Sequence, residues 1–227
     1  MAFIAIEGND GSGKATQTAL LAAELEHAGF RVHQYAFPAY QTTIGGKLLA
    51  KLLADEGSNF VTADPRLASL PYSLDRHALS PAIRKALTDG EMVVADRFIG
   101  SNQIHQGGKL KSIGERVGYL NWLEDLEHGQ LQVPRPDLVL YLKVSVEVSL
   151  QWLAGKRASK GGVLGDGELD QVEKNRPYLE NSHEMANWLA GYYPHWRVID
   201  CVDKAGHIRT REDIHADVMH HVDEIWK

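Results

Sequence analysis

A glycine-rich loop near the start of the sequence carries residues whose types and spacing could bind phosphate. Gly8 and Gly13 enclose four residues and Lys14 follows directly, which gives the G-x-x-x-x-G-K spacing of a phosphate-binding loop. The glycines allow successive backbone N–H groups to face an anion, and the lysine adds a full positive charge. The residues expected to bind a nucleoside triphosphate are therefore Gly8, Asn9, Asp10, Gly11, Ser12, Gly13, Lys14, Ala15 and Thr16.

The residue after the lysine departs from the usual phosphate-binding loop. A Ser or Thr at this position normally supplies a hydroxyl ligand to the Mg²⁺ ion that accompanies the phosphates. This sequence has Ala15 there, with Thr16 next. The loop therefore lacks its usual side-chain ligand for the metal.

Alternating strands and helices are predicted to position this loop. Residues 3–6 are apolar and predict a buried parallel strand before the loop, and Leu21, Leu25 and Ala28 predict a helix after it. Short buried strands separated by helices are typical of a doubly wound α/β fold, in which helices cover both faces of a parallel sheet. Further strands are predicted at 31–37, 92–96, 137–143 and 196–200, and further helices at 45–54, 64–87, 112–128, 145–158, 170–190 and from Thr210 onward.

Two prolines interrupt the longest of these helical stretches. Asp64 and Pro65 form a capped start, and the helical pattern then continues to Leu87. Proline removes a backbone donor and clashes with the preceding helical turn. Pro71 and Pro81 are therefore expected to kink or divide this stretch.

Charged and aromatic residues stand where the predicted strands end. Ligands of such sheets bind at the carboxyl ends of the strands, and these ends bring Phe37, Asp96 and Arg97 to the same edge as the loop. Asp96 closes the third strand and can hold Mg²⁺ or its water ligands opposite the loop. A guanidinium suits bidentate contact with a phosphate, so Arg97 is a candidate for a second anion site.

Composition limits the class of protein. The 227 residues include 24 Lys and Arg against 30 Asp and Glu, and this net charge of −6 argues against general nucleic-acid binding. No apolar run approaches the length of a membrane span. Cys201 is the only cysteine, so no internal disulfide can form, which fits a reducing compartment. We expect one domain over residues 1–227, located in the cytoplasm, with neither nucleic acid nor membrane as a partner.

A longer signature follows the third predicted strand. Asp96-Arg97-Phe98, together with the sequence S-N-Q-I-H-Q-G-G at 101–108, resembles the D-R-[YHF]…S-x-Q-A-Y-Q-G-G signature of thymidylate kinases. The phosphate-binding loop precedes it, as in that family. Four shorter segments also resemble the family in its order: 37–40 its F-P-x-Y, 73–76 its A-L-D-R, 135–138 its R-P-D-L and 170–175 its D-x-x-E.

The resemblance implies both a fold and a reaction. The fold would be a three-layer α/β P-loop kinase fold, with a five-stranded parallel sheet, helices on both faces and a helical lid at about 155–170. The reaction would transfer the γ-phosphoryl group of ATP to dTMP, which gives dTDP and ADP, with Mg²⁺ as the cofactor. The protein would bind ATP and a deoxypyrimidine monophosphate and would act as a cytoplasmic homodimer.

The resemblance also implies roles for individual positions. Phe37 and Tyr72 would flank the pyrimidine, and Arg97 would bind the acceptor phosphate. Catalysis is expected from Lys14, Asp10, Arg97 and Arg157, the last in a basic lid where Lys156 and Lys160 support it. The expected dTMP-binding residues are Asp10, Phe37, Tyr40, Tyr72, Arg76, Arg97, Asn102, Gln103 and Glu173, and the expected metal ligands are Asp10, Asp96 and Glu173.

Three positions around the acceptor site depart from the family pattern. Ala39 stands where many relatives have an arginine, His105 replaces the usual tyrosine, and Val172 replaces a frequent aromatic or histidine. These changes leave the acceptor base open, so a kinase of dUMP or of another nucleoside monophosphate is one alternative. A P-loop nucleotide-binding switch without a small acceptor is another, although the sequence contains no N-K-x-D motif for reading guanine.

Overall fold

The strands form one sheet at the centre of the molecule. The computed structural model describes residues 1–55, 57–150, 175–204 and 206–225. Within these ranges five parallel strands pair in the order β2-β3-β1-β4-β5, which confirms the predicted strands and their direction. The strands are β1 (Phe3–Gly8), β2 (Val32–Ala36), β3 (Met92–Asp96), β4 (Leu138–Lys143) and β5 (Trp196–Asp200).

Helices connect the strands. Of the helix predicted at 145–158, residues 146–150 are helical and the remainder lies outside the described residues. Within the described ranges no helix is long and apolar enough to cross a membrane. The principal helices are α1 (Lys14–His27), α2 (Ile44–Ala54), α3 (Pro65–Thr88), α4 (Ile99–His105), α5 (Ile113–Glu124), α6 (Arg176–Tyr192) and α7 (Arg211–Glu224).

The central strand β1 contributes to two separate cores. Its side chains alternate between the faces of the sheet, so that Phe3 and Ala5 pack on one side and Ile4 and Ile6 on the other. Helices α3, α4, α5 and α6 supply apolar residues to the first core, and α1 and α7 supply them to the second. The strand is buried along its whole length because both faces are covered. This three-layer arrangement confirms the predicted fold class.

The long helix α3 is continuous, so of the two outcomes expected from its prolines, a kink or a division, the division is wrong. Pro71 and Pro81 both lie inside the helix, which begins after Asp64 as predicted. The Asp64 carboxylate accepts a hydrogen bond from the backbone N–H of Arg66 at 2.9 Å. An internal proline costs about 3 kcal/mol in a helix. Tertiary packing offsets that cost, because α3 buries a face that includes Ile83 against the sheet.

Helices α2 and α3 approach each other without room for a side chain between them. A Cβ added at Gly45 would lie 2.4 Å from the backbone nitrogen of Asp75. The Asp75 carboxylate accepts hydrogen bonds from the Ala39 N–H at 2.9 Å and from the Thr43 hydroxyl. It thereby fixes the segment between β2 and α2. The two helices supply Leu53, Tyr72 and Arg76 to one side of the cleft described below.

Candidate active site

A cleft opens beside the phosphate-binding loop at the carboxyl edge of the sheet. It receives most of the residues predicted to bind dTMP: Asp10, Phe37, Tyr40, Tyr72, Arg76, Arg97 and Asn102. Gln103 is not among the lining residues, and its amide nitrogen lies 3.5 Å from the Tyr193 hydroxyl. Some predicted site residues lie outside the described residues, namely Arg157, Glu173, Lys156, Lys160 and the lid at 155–170.

The glycines allow the loop to fold as predicted. Gly8 has a φ of +151°, and a Cβ there would lie 2.6 Å from the Ser12 hydroxyl and 2.8 Å from the Leu142 carbonyl. Gly13, at φ +92°, precedes the first residue of α1 and provides no side-chain cap. The first N–H groups of α1 are therefore available to an anion.

Buried polar atoms line the inner side of this loop. The side-chain amide of Asn9 and the hydroxyl of Ser12 are buried without a hydrogen-bond partner among the described residues. The Lys14 ammonium donates to the Asn9 carbonyl at 2.8 Å and lies 3.7 Å from a carboxylate oxygen of Asp10. Buried polar groups normally find partners, so this set of donors and acceptors fits the phosphates of a bound nucleotide.

Asp10 and Arg97 link the loop to the end of β3. The Arg97 guanidinium pairs with the Asp10 carboxylate and donates to the Gly8 carbonyl at 3.2 Å. Partial burial alone would raise the pKa of Asp10, but the charges of Arg97 and Lys14 outweigh it and hold that pKa well below its usual range. Burial and the nearby Arg97 charge lower the pKa of Lys14 to about 8.

The donor set also fits the predicted Mg²⁺ ion. One carboxylate oxygen of Asp96 is buried and has no hydrogen-bond partner in the described part of the chain. The Asp10 carboxylate pairs with Arg97, the residue directly after Asp96 at the end of β3. Carboxylate oxygens are ligands that Mg²⁺ prefers, and they can replace the hydroxyl that Ala15 lacks.

Aromatic residues line the cleft where a base is expected. Phe37 is buried and meets Phe98 edge to face, with ring centroids 5.3 Å apart and an interplanar angle of 68°. Tyr72, on α3, stacks on Phe60 with centroids 6.1 Å apart. Packing against these neighbours holds both rings, which therefore offer flat apolar surfaces to a planar ligand.

Arg76 is fixed by a residue that the sequence reasoning missed. The helix predicted to reach residue 128 ends at Glu124 and continues as a wider π-helical turn that buries Glu127 completely. Arg76 donates to the Glu127 carboxylate at 2.7 Å through Nε and at 2.5 Å through Nη2, and to the Phe98 carbonyl at 3.2 Å. Among the described residues, three of its five N–H groups are thus occupied, which leaves two for a ligand.

His105, which the sequence places around the acceptor site, stacks on Tyr178, which the sequence reasoning did not assign to the site. Both line the cleft, with ring centroids 5.8 Å apart and planes within 1° of parallel. The Ser182 hydroxyl lies 3.1 Å from Nδ1 of His105. Burial and the charge of Arg97 lower the pKa of His105 to about 3, so the ring is neutral near pH 7. No signal for Tyr178 was recognised in the sequence, because it follows the segment identified with the lid.

A buried carboxylate beneath the cleft was also missed. Glu7 is the one charged residue in the apolar sequence of β1 and is completely buried. It accepts hydrogen bonds from the backbone N–H groups of Phe98 at 2.7 Å and Ser101 at 3.0 Å. A charged residue in a strand buried on both faces is a signal that the sequence did offer, because such a charge needs partners.

Comparison with known proteins agrees with this geometry. The family model described as thymidylate kinase matches residues 6–210. The chain belongs to the thymidylate kinase family. The predicted resemblance, fold class and enzyme class are thereby confirmed, and the reaction of this family is the transfer of a phosphoryl group from ATP to dTMP.

Curated relatives support the same assignment. The chain is 31% identical over 202 residues to a thymidylate kinase of Mycobacterium tuberculosis (strain H37Rv), which covers 87% of this chain and 90% of the relative. It is 29% identical over 223 residues to a probable thymidylate kinase of Thermococcus gammatolerans, which covers 96% of this chain and 93% of the relative. It is 30% identical over 185 residues to a thymidylate kinase of Bradyrhizobium sp. (strain BTAi1), covering 82% and 77% respectively.

The lowered pKa of Lys14 leads to a prediction about nucleotide binding. The free protein loses the Lys14 proton as the pH rises through about 8, whereas bound phosphates favour the charged ammonium. Binding of ATP at pH 8.5 should therefore take up roughly 0.8 of a proton, and much less at pH 7. Calorimetry in buffers of different ionisation enthalpy measures this uptake.

Two variants identify the group that takes up the proton. Lys14→Arg keeps a charge that does not titrate in this range, so it should bind ATP without proton uptake. Lys109→Gln is the matched control, because the pKa of Lys109 is also lowered to about 8 but its ammonium bonds the Ala63 carbonyl, outside the loop. Uptake that disappears in Lys109→Gln and persists in Lys14→Arg would contradict the assignment.

Proposed function

We propose that the cleft binds dTMP and the loop binds ATP, so that the γ-phosphoryl group passes between them and yields dTDP and ADP. The observation that carries this proposal is the position of Arg97. Its guanidinium lines the cleft and also contacts the Gly8 carbonyl and Asp10 in the loop. A cation at this junction can bind the acceptor phosphate beside the donor phosphates.

The chemistry requires positioning and neutralisation of charge more than a nucleophile on the protein. The acceptor phosphate is itself an anionic nucleophile, so direct in-line transfer needs no covalent enzyme intermediate and no strong general base. Lys14 would stabilise charge on the transferring group, and Arg97 would orient the acceptor oxygen. The half-buried ring pair of His105 and Tyr178 would limit the access of water from the side of the acceptor.

The cleft would hold the base by aromatic stacking and by hydrogen bonds to its polar edge. Phe37 and Tyr72 offer flat surfaces, while Arg76 and Asn102 would read the polar edge of the pyrimidine. Asp10, Tyr40 and Glu173 would complete the contacts to the nucleotide, as the family resemblance implies.

Mg²⁺ would be held by Asp10 and Asp96, with Glu173 contributing from the lid. When bound, the ion would neutralise charge on the phosphates of ATP during transfer. One carboxylate oxygen of Asp96 is buried and has no hydrogen-bond partner within the described ranges, which supports this assignment. We further propose a cytoplasmic location, supported by the single cysteine, Cys201, which is buried and unpaired.

The function is tested by an ADP-release assay with a panel of nucleoside monophosphates. We expect dTMP to be the best acceptor, dUMP to be poorer but detectable, and purine monophosphates to be much worse because two aromatic walls restrict the width of the base. The thymine methyl contributes roughly 1–3 kcal/mol at most. Omission of Mg²⁺ should abolish transfer. A preference for AMP or GMP would overturn the assignment, and ADP release that needs no acceptor would favour the nucleotide switch.

The lid should supply the catalytic charge that the loop lacks. Among Asn9, Asp10, Gly11 and Ser12 there is no arginine to reach the transferring group, whereas Arg157 lies in a glycine-rich segment with Lys156 and Lys160. Replacement of Arg157 by alanine should lower kcat by about a hundredfold or more, with much smaller changes in KM for either nucleotide.

The control for this prediction is Arg135→Ala. Arg135 is an exposed arginine whose side chain pairs with Glu124. Its loss should leave kcat nearly unchanged. If the Arg157/Lys160 double alanine variant keeps kcat within about threefold of the parent, the lid only covers the site and the catalytic charge comes from elsewhere.

We propose that the chain forms a homodimer through α2 and α3. Leu67, Leu70 and Leu74 follow each other along one side of α3 at helical spacing and are exposed, and Ile44 and Leu48 are exposed on the adjoining α2. The exposed fractions reach 86% for Ile44 and 65% for Leu67. An apolar strip of this kind suits a two-fold interface, in which each copy covers the strip of the other.

A pair of charged substitutions tests the interface. Leu67→Glu/Leu70→Glu should shift the mass measured by light scattering from dimer to monomer, because four carboxylates would meet across the two-fold axis. Ile208→Glu is the matched control, since Ile208 is 44% exposed but lies outside α2 and α3, between β5 and α7. A parent protein that is monomeric, or a double variant that stays dimeric, would refute the proposed interface.

A further inference from the structure

Arg97 adopts a backbone conformation that its own residue type does not favour. Its φ is +66°, in the left-handed region where residues with a Cβ are uncommon and strained. The strand ends at Asp96, and the chain turns at Arg97 into α4. Such strain persists only where neighbouring groups hold the chain in place. The question is therefore which groups hold this turn.

The Glu7 carboxylate holds this turn through hydrogen bonds to its backbone. One of its oxygens accepts from the N–H groups of both Phe98 and Ser101, at 2.7 and 3.0 Å. The N-cap of α4 is Phe98, whose side chain cannot accept a hydrogen bond, so Glu7 replaces the missing cap. The approach is close, because a Cβ added at Gly100 would lie 2.8 Å from the Glu7 carboxylate.

The second oxygen of Glu7 reaches the side chain of Arg97 through one hydroxyl. The Ser101 hydroxyl donates to this oxygen at 2.7 Å. Because its proton is committed to Glu7, the hydroxyl oxygen can accept from Nη1 of Arg97, which lies 3.3 Å away. The same Nη1 donates to the Gly8 carbonyl at 3.2 Å. The Ser101 hydroxyl is thus one of three groups that hold the guanidinium, beside the Gly8 carbonyl and the Asp10 carboxylate.

We propose that Glu7 is a positioning residue for the acceptor phosphate, which orients Arg97 through Ser101. The inference rests on the proposed function, because it takes Arg97 as the residue that binds that phosphate. Glu7 is completely buried and does not line the cleft, so it cannot touch the substrate itself. Any effect on the acceptor must pass through the residues that it holds.

Glu7→Gln tests this role with little change of shape. The glutamine oxygen can still accept from Phe98 and Ser101, but its NH₂ group donates to the Ser101 hydroxyl and so leaves the hydroxyl proton without its acceptor. KM for dTMP should rise about tenfold and kcat should fall, while Kd for ATP stays within about twofold. If Glu7 had only a structural role, the substitution would weaken the binding of dTMP and of ATP to a similar extent.

Variants at Ser101, which itself lines the cleft, test the hydrogen-bond chain without altering β1. An unchanged KM for dTMP in Ser101→Ala would refute the proposal even if Glu7→Gln fails to fold. Ser101→Ala should reproduce the rise in KM for dTMP. Ser101→Thr keeps the hydroxyl and should return KM to the value of the parent protein. Because the two residues form one chain of hydrogen bonds, the Glu7→Gln/Ser101→Ala double variant should be no worse than the poorer single variant. If the two substitutions instead raise KM for dTMP by independent factors that multiply, the chain of hydrogen bonds from Glu7 through Ser101 to Arg97 is refuted.

The outcome also separates this inference from the proposed function. If the parent protein phosphorylates dTMP and both single variants keep KM within about twofold, the positioning role is wrong and the function stands. If the parent phosphorylates no pyrimidine monophosphate, the proposed function itself fails.

Discussion

The ion pair between Arg97 and Asp10 is the contact on which the rest of the site depends. It joins the loop after β1 to the turn after β3, and it lies where donor and acceptor phosphates would meet. A largely buried guanidinium needs nearby charges and acceptors to offset its desolvation. Burial opposes the charge on Arg97, but Asp10, Asp96 and Glu7 outweigh it and raise the pKa of Arg97. Arg97 therefore remains positively charged beside the three carboxylates.

The charge of Arg76, the second arginine of the cleft, is neutralised by a different kind of partner. Arg76 is paired with Glu127, and both side chains are almost wholly buried. Because this carboxylate sits beneath the cleft on its own π-helical turn, it is not exposed for exchange with a ligand anion. Arg76 thus offers hydrogen-bond donors with little net charge, whereas Arg97 offers charge that phosphate can share with Asp10. One cleft can therefore distinguish the neutral edge of a base from a phosphate.

Features with a local signal were predictable from the sequence. The loop from Gly8 to Lys14 and the apolar strands are recognisable from consecutive residues, and seven cleft residues followed from the family resemblance. Contacts between residues far apart in the sequence could not be predicted. Arg76 and Glu127 are 51 positions apart, and Glu7 and Ser101 are 94 apart. The seven-residue helix α4 is too short for a periodic pattern, and packing overrides the two prolines of α3.

The central place of β1 has a consequence for the order in which the chain is made. β1 precedes the other strands, yet the backbone N–H of Phe3 bonds to the side chain of Asp137, 134 residues further along. When this segment leaves the ribosome, its partners have not been synthesised. The second core, which Ile4 and Ile6 enter, closes only when α7 is in place. A nascent chain thus displays the whole nucleotide-loop sequence long before it can hold a nucleotide.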